Sequence, residues 1–167
     1  EKNLLIFSPL IFGMVLINYF VDPGGLFKDK EYEKGIAKIF AQGLNVTNLN
    51  GYNDRLLQMQ YIKADQGSKD IIVLGSSRTM QVNLSNLGGK KFFNHSVTSA
   101  SLEDFFAICE MYEEQNKMPG MIILGLDPWI LNKNNGQQFW KSTFIYYYAF
   151  INRLWGKGEV NTFSQRY

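Results

Sequence analysis

The sequence holds few of the residues that usually anchor an interpretation: 167 residues contain one cysteine, one histidine and four prolines, and neither sign of charge dominates. A lone Cys109 excludes an intramolecular disulfide. Its place on an apolar helical pattern makes it a small core residue, and the lack of disulfides fits an exported bacterial-type domain and a cytosolic one equally. The 17 basic and 15 acidic side chains give a net charge of +2, which excludes a strongly basic nucleic-acid binder. No internal repeat, heptad pattern or low-complexity tract is present, and no glycine-rich phosphate loop follows an apolar run, which argues against a nucleotide-binding module. No metal or organic cofactor is implied. What the chain does have is 46% hydrophobic and 15% aromatic residues, so it is neither a disordered tail nor a fibre, and its length suits one main domain.

The apolar residues are unevenly spread. From Leu4 to Phe20 there is no charge, a stretch of about 26 Å at ~1.5 Å per helical residue, and Val21 with the flanks brings it towards the ~30 Å of a hydrocarbon core. Lys2 precedes the run, Asp22 closes it, and Tyr19 sits at an interfacial position, so the expectation is a single-pass anchor in the plasma membrane with an extracytoplasmic remainder. Lys28 and Lys30 on the far side oppose that orientation. A signal peptide is the main rival, but Asn18-Tyr19-Phe20-Val21-Asp22-Pro23 offers no small-x-small cleavage site; a buried core helix is the other. The chain opens on Glu1 rather than Met, and a fragment of a longer protein is expected.

The expected organisation is an anchor over residues 1–22, a connecting helical segment over 23–69 and an α/β domain over 70–167, incomplete at its C-terminus. Asp22-Pro23-Gly24-Gly25 is a breaker cluster. Residues 29–42 and 53–65 carry helical patterning, the second with Asn53 or Asp54 as its cap. Ile71-Ile72-Val73-Leu74 reads as a buried parallel strand, and so do Lys91–Asn94 and Met121–Leu124. Ser101-Leu102-Glu103-Asp104 reads as a capping box opening a helix whose Leu102, Phe105, Phe106, Cys109 and Tyr112 form one stripe. Strands separated by helical spacers make a parallel βαβαβ unit, whose ligand crevice lies at the carboxyl ends of the strands. The loops at 75–78, 94–99 and 125–128 should therefore converge.

In the first of these loops, Gly75-Ser76-Ser77-Arg78, a serine just past a strand end can act as a nucleophile if a base takes its proton, with N–H groups of the next helix stabilising an oxyanion; it can equally be that helix's N-cap. Taken in order, Ile72–Thr79, Asn94–Ser101 and Ile122–Pro128 resemble the first three blocks of the SGNH or GDSL hydrolases. The resemblance covers residues 70–132. It is closest to the membrane-anchored, DltD-like branch that acylates cell-envelope polymers, in which Gly-Asp-Ser becomes Gly-Ser-Ser.

The resemblance implies a three-layer, flavodoxin-like parallel sheet. It makes Ser77 the nucleophile and an oxyanion donor through its own N–H, and the Ser99 N–H a second donor where the family usually has glycine. Asp127 stands where the family has an asparagine that donates from its side chain. A carboxylate cannot do so while ionised, so Asp127 is held protonated, orients the loop, or leaves the third donor missing, unless Asp127-Pro128 is merely a turn. The family's base is an Asp-x-x-His pair near the C-terminus. No such pair occurs in this sequence, and His95 is the one histidine that stands near the strand ends, as a base or as a satisfied loop residue. Arg78 binds an anionic group of a polymer or ties a nearby acid. The activity implied is transfer or removal of an O-acyl group on a cell-envelope polysaccharide or teichoic acid, with a membrane-bound O-acyltransferase as partner. The alternative is a non-catalytic binding or assembly subunit of such a complex.

Finally, Gln137–Trp155 carries Phe139, Trp140, Phe144, Tyr147, Phe150, Ile151 and Leu154 at helical spacing, expected to pack on the sheet or to lie at a membrane interface.

Overall fold

The computed structural model describes residues 2–21, 31–84, 88–132 and 134–156, with the side chains of the first helix described from Phe7 onward. The breaker at 22–25, Lys28, Lys30 and residues 157–167 lie outside the described residues.

The sheet is parallel, with β1 (Ile71–Leu74) between β2 (Phe92–Asn94) and β3 (Met121–Leu124). Ile72 is in register with Phe93 on one side and Ile122 on the other, so these three form a row across one face. That row packs on α2 (Glu31–Ala41), α3 (Asp54–Ala64) and α4 (Leu102–Glu114) through Ile36, Leu57, Ile62, Phe105 and Ile108, all in one core. As far as it is described, the 23–69 segment supplies part of this core through α2 and α3. The helices α2 and α3 form because their apolar positions recur at helical spacing. At the start of α3, Asn53 accepts from the Leu56 N–H at 3.1 Å, which resolves the choice of cap. Asn53→Ala is expected to cost about 1 kcal/mol in urea unfolding; a loss of less than a few tenths would mean that the Leu56 amide has found another acceptor.

Two of the expected elements differ. Residues 77–81 form successive turns, with Thr79 N–H donating to Ser76 O and Val82 N–H to Thr79 O, each at 3.0 Å. Among the described residues no helix lies between β1 and β2, so Ser77 caps none and the Ser77 N–H does not open one. The second difference is β3, expected to be buried: Met121 and Leu124 are each 51% exposed, whereas no residue of β1 exceeds 3%. The cause is position. Strand β1 is central, whereas β3 is an edge strand whose Met121 and Ile123 face away from the helical core.

The aromatic tail forms a 3₁₀ turn (Phe139–Thr143) and then α5 (Phe144–Trp155). Helix α5 packs on α4 rather than on the sheet. Phe150 stacks on Phe106 at 4.8 Å between ring centres, Ile151 is buried, and Arg153 pairs with Glu110 at 2.8 Å. This contact also covers the side of α4 that carries Cys109, whose thiol burial pushes up to about 11.

Helix α1 (Lys2–Val21) is apolar on every side: Phe7, Leu10, Phe12, Val15, Ile17 and Phe20 are all more than half exposed. Among the described residues no helix is long and apolar enough to cross a membrane.

Candidate functional site at the carboxyl ends of the strands

Backbone hydrogen bonds continue past β1 and draw the three loops together. Leu74 O accepts from the Gly125 N–H at 2.7 Å, and Gly75 O from the Val97 N–H at 3.0 Å. Thr79 folds back over this junction: its hydroxyl donates to Ser76 O at 2.9 Å and lies 2.7 Å from Ser96 Oγ. Asn94 then fastens the turn from below, its side-chain amide donating to the carbonyls of Thr79 at 2.7 Å and Val82 at 3.0 Å. The Thr79 side chain fills the space where a side chain on either Gly75 or Gly125 would stand, which is why a glycine follows each of these strands.

Around this junction the structure joins Ser76, Arg78 and Asp127. The buried Ser76 hydroxyl donates to Asp127 Oδ2 in a short hydrogen bond, and Ser76 Oγ accepts from the Arg78 N–H at 3.3 Å. Arg78 Nη1 lies 3.3 Å from Asp127 Oδ1, with its guanidinium 4.6 Å from the centre of the Trp129 ring. The Asp127 carboxylate is therefore an acceptor fully engaged within the loops. Of the roles open to it, loop orientation is the one this geometry gives. Arg78 ties an acid, as one of its two readings has it, while its side chain stays 66% exposed.

Ser77 is exposed on the turn and forms no side-chain hydrogen bond with another described residue. Ser99 lies in the next loop with φ of 50°, in the left-handed region that favours glycine. Among the described residues nothing accepts from the N–H of Ser77 or of Ser99. Ser99 and Trp129 line an open groove of about 620 Å³ together with Gly136, Gln137 and Phe139.

His95 is not part of this cluster. It is 1% exposed, and both ring nitrogens are occupied, Nδ1 at 2.7 Å from Gln58 Oε1 and Nε2 at 2.6 Å from the Tyr112 hydroxyl. The amide oxygen can only accept, so Nδ1 carries the proton and Nε2 accepts from Tyr112. Burial, with a smaller push from Lys69, lowers the imidazole to about 3, so the ring is neutral at physiological pH with no free nitrogen. Of the two readings of His95, this geometry is that of a satisfied loop residue, held by Gln58 and Tyr112.

Several site residues escaped the sequence reading: Ser76, Thr79, Trp129 and Arg55. Arg55 left one legible signal. A cation in the first turn of a helix opposes the helix dipole, so it calls for a tertiary partner. That partner is Asp104, 2% exposed, whose carboxyl is pushed up by burial against the pull of Arg55 and the hydrogen bonds from Ser101.

Set against family models, curated proteins and solved structures, the chain matches none.

Proposed function

We propose that the protein is a membrane-anchored SGNH-like serine acyltransferase or esterase acting on O-acyl groups of a cell-envelope polysaccharide or teichoic acid. The observation that carries this reading is Ser99: where the resemblance has a glycine, the backbone adopts the left-handed conformation that glycine favours, in a loop at the same edge as Ser77. The strand order supports it too, since a flavodoxin-like sheet contains β2-β1-β3 at its start. A three-layer arrangement would require a cover on the open Met121–Ile123 face, because all-parallel sheets are shielded on both sides.

In this reading Ser77 Oγ attacks an ester carbonyl. The Oγ–C bond forms, the ester C–O bond breaks, and the Ser77 proton leaves with the departing alcohol. The Ser77 and Ser99 N–H groups stabilise the oxyanion, and the acyl group passes to a sugar hydroxyl or to water. The exposed edge of Arg78 is suited to a phosphate or carboxylate of the polymer. The all-round apolar surface of α1, which a helix leaves exposed to water only at a cost, supports an anchoring role; the acyl donor would reach the site from a membrane-bound O-acyltransferase.

A second reading, a non-catalytic binding or assembly subunit on the same fold, is favoured by His95, which is sealed away from Ser77 and leaves that serine without a base among the described residues. Labelling of the full-length protein by a serine-reactive fluorophosphonate separates the two. Catalysis predicts labelling that Ser77→Ala abolishes. Labelling that survives the substitution sinks the assignment, and an unlabelled wild type favours the binding subunit.

A further inference from the structure

The carbonyl of Thr98 and the N–H of Ser99 belong to one peptide unit. Because a trans peptide is planar, with its C=O and N–H pointing in opposite directions, whatever grips the Thr98 carbonyl also aims the Ser99 N–H. The group that grips it is Arg55, whose Nη2 donates to Thr98 O at 3.1 Å and also reaches Ser99 O at 3.4 Å. We propose that Arg55 is the positioning residue that holds the Thr98–Ser99 peptide in its orientation and so points the Ser99 N–H towards the oxyanion. This rests on the acyl-transfer reading for the role of that N–H, though not for the orientation itself.

Three features give Arg55 the stiffness for this task. Its side chain is 5% exposed and is held by Asp104 in a two-point contact, Nε to Oδ1 at 2.7 Å and Nη2 to Oδ2 at 2.8 Å, so the fork cannot swing. Asp104 is itself fixed at the start of α4, where its Oδ2 accepts from the Ser101 N–H at 2.9 Å. The neighbouring Asp54 accepts from the Thr98 N–H through Oδ2 and from the Arg55 N–H through Oδ1 at 2.9 Å. Helix α3 thereby holds both ends of Thr98, its N–H through Asp54 and its C=O through Arg55.

A left-handed non-glycine residue is strained, so without this grip the loop has a reason to relax. Turning the peptide over would return Ser99 to ordinary backbone conformation and point its N–H into the protein. Gln137, by contrast, donates to Ser99 O at 2.6 Å and so fixes the next peptide, not the one bearing the Ser99 N–H. Lysine cannot replace Arg55, since a single ammonium cannot span both Asp104 oxygens and the Thr98 carbonyl in one plane.

The test compares the full-length wild type with Arg55→Met, Arg55→Lys and Gln137→Ala, by crystal structure and by fluorophosphonate labelling kinetics at Ser77. In both Arg55 variants the Thr98–Ser99 peptide should be turned over. Their maximal labelling rate should fall about 100-fold, the loss expected from one oxyanion donor, with half-saturating reagent concentration within a few-fold of wild type. Gln137→Ala should keep the Thr98–Ser99 peptide in its wild-type direction. Should Arg55→Met fail to fold, Arg55→Lys, which keeps a cation opposite Asp104, decides. An Arg55 variant that keeps the Thr98 carbonyl in its wild-type direction, or that labels at the wild-type rate, overturns the proposal. If the wild type does not label at Ser77, it is the acyl-transfer reading that fails, and the peptide orientation in the variants alone decides for or against Arg55.

Discussion

Gly75→Ala is expected to destabilise the protein by about 3 kcal/mol, at the upper end of what overpacking costs. The new methyl group would stand 2.0 Å from Thr79 Oγ1, 3.1 Å from Thr79 Cβ and 3.2 Å from Thr79 Cγ2. The threonine cannot step aside cheaply, because its hydroxyl is engaged by Ser76 O and Ser96 Oγ and its backbone carbonyl by Asn94. Moving it forfeits hydrogen bonds worth about 1 kcal/mol each and unfastens the turn that carries Ser77. For a chain of this length that loss lowers the Tm by about 10 °C.

The mechanism makes a sharper claim through a second substitution. Thr79→Ala removes the two atoms that a methyl on Gly75 meets worst, apart from the Cβ at 3.1 Å. The double variant should therefore lose clearly less than the sum of the single losses, because the sites share one space. Thermal unfolding of the four proteins measures this. Simple additivity, or a Gly75→Ala protein within about 1 kcal/mol of wild type, would show that the loop adjusts and that glycine is not required there.

Acid should weaken the fold through His95. The imidazole is held near 3 in the native state and is free to titrate near 6.5 when the chain unfolds. Between those values the unfolded chain binds the proton that the folded one refuses, so stability rises with pH across this window and is lost as pH falls through it. The contribution is fully present above about pH 6.5. At ~1.36 kcal/mol per pH unit, about 2 kcal/mol is gone at pH 5 and about 5 kcal/mol near pH 3. Urea midpoints at pH 7 and pH 5 should show the first of these losses. His95→Gln, although less stable overall, should lose much less over the same step. In the native protein the His95 ring resonances should not titrate between pH 7.5 and 5; a ring titrating near 6.5 in the folded state would overturn the assignment. The physical origin is the burial of the ring, which penalises the charged imidazolium, with a smaller push from the Lys69 ammonium.

The reach of the sequence reading depends on how local each feature is. The helix at 54–64, its Asn53 cap, the Ser101–Asp104 cap of α4 and the strand at 71–74 are set by side-chain spacing and by hydrogen bonds between near neighbours, and these are legible in one dimension. The convergence of three strand-end loops was likewise readable, since parallel strands joined by crossovers bring their carboxyl ends to one edge. Missing from that reading were the pairings between distant residues: Ser76 with Asp127, Arg55 with Asp104 and Thr98, and Thr79 lying over two glycines.

His95 and Met121–Leu124 show the same division. Both histidine readings were open in the sequence, because nothing local tells a ring facing Ser77 from one sealed between Gln58 and Tyr112. The apolar runs at 71–74 and 121–124 look alike on paper, yet one is buried and the other half exposed. Strand propensity belongs to the residues themselves, so the sequence determined that both segments are strands. Burial belongs to the neighbours, and only the tertiary structure, by setting β1 between two strands and β3 at the edge, decided which strand is core and which is left open.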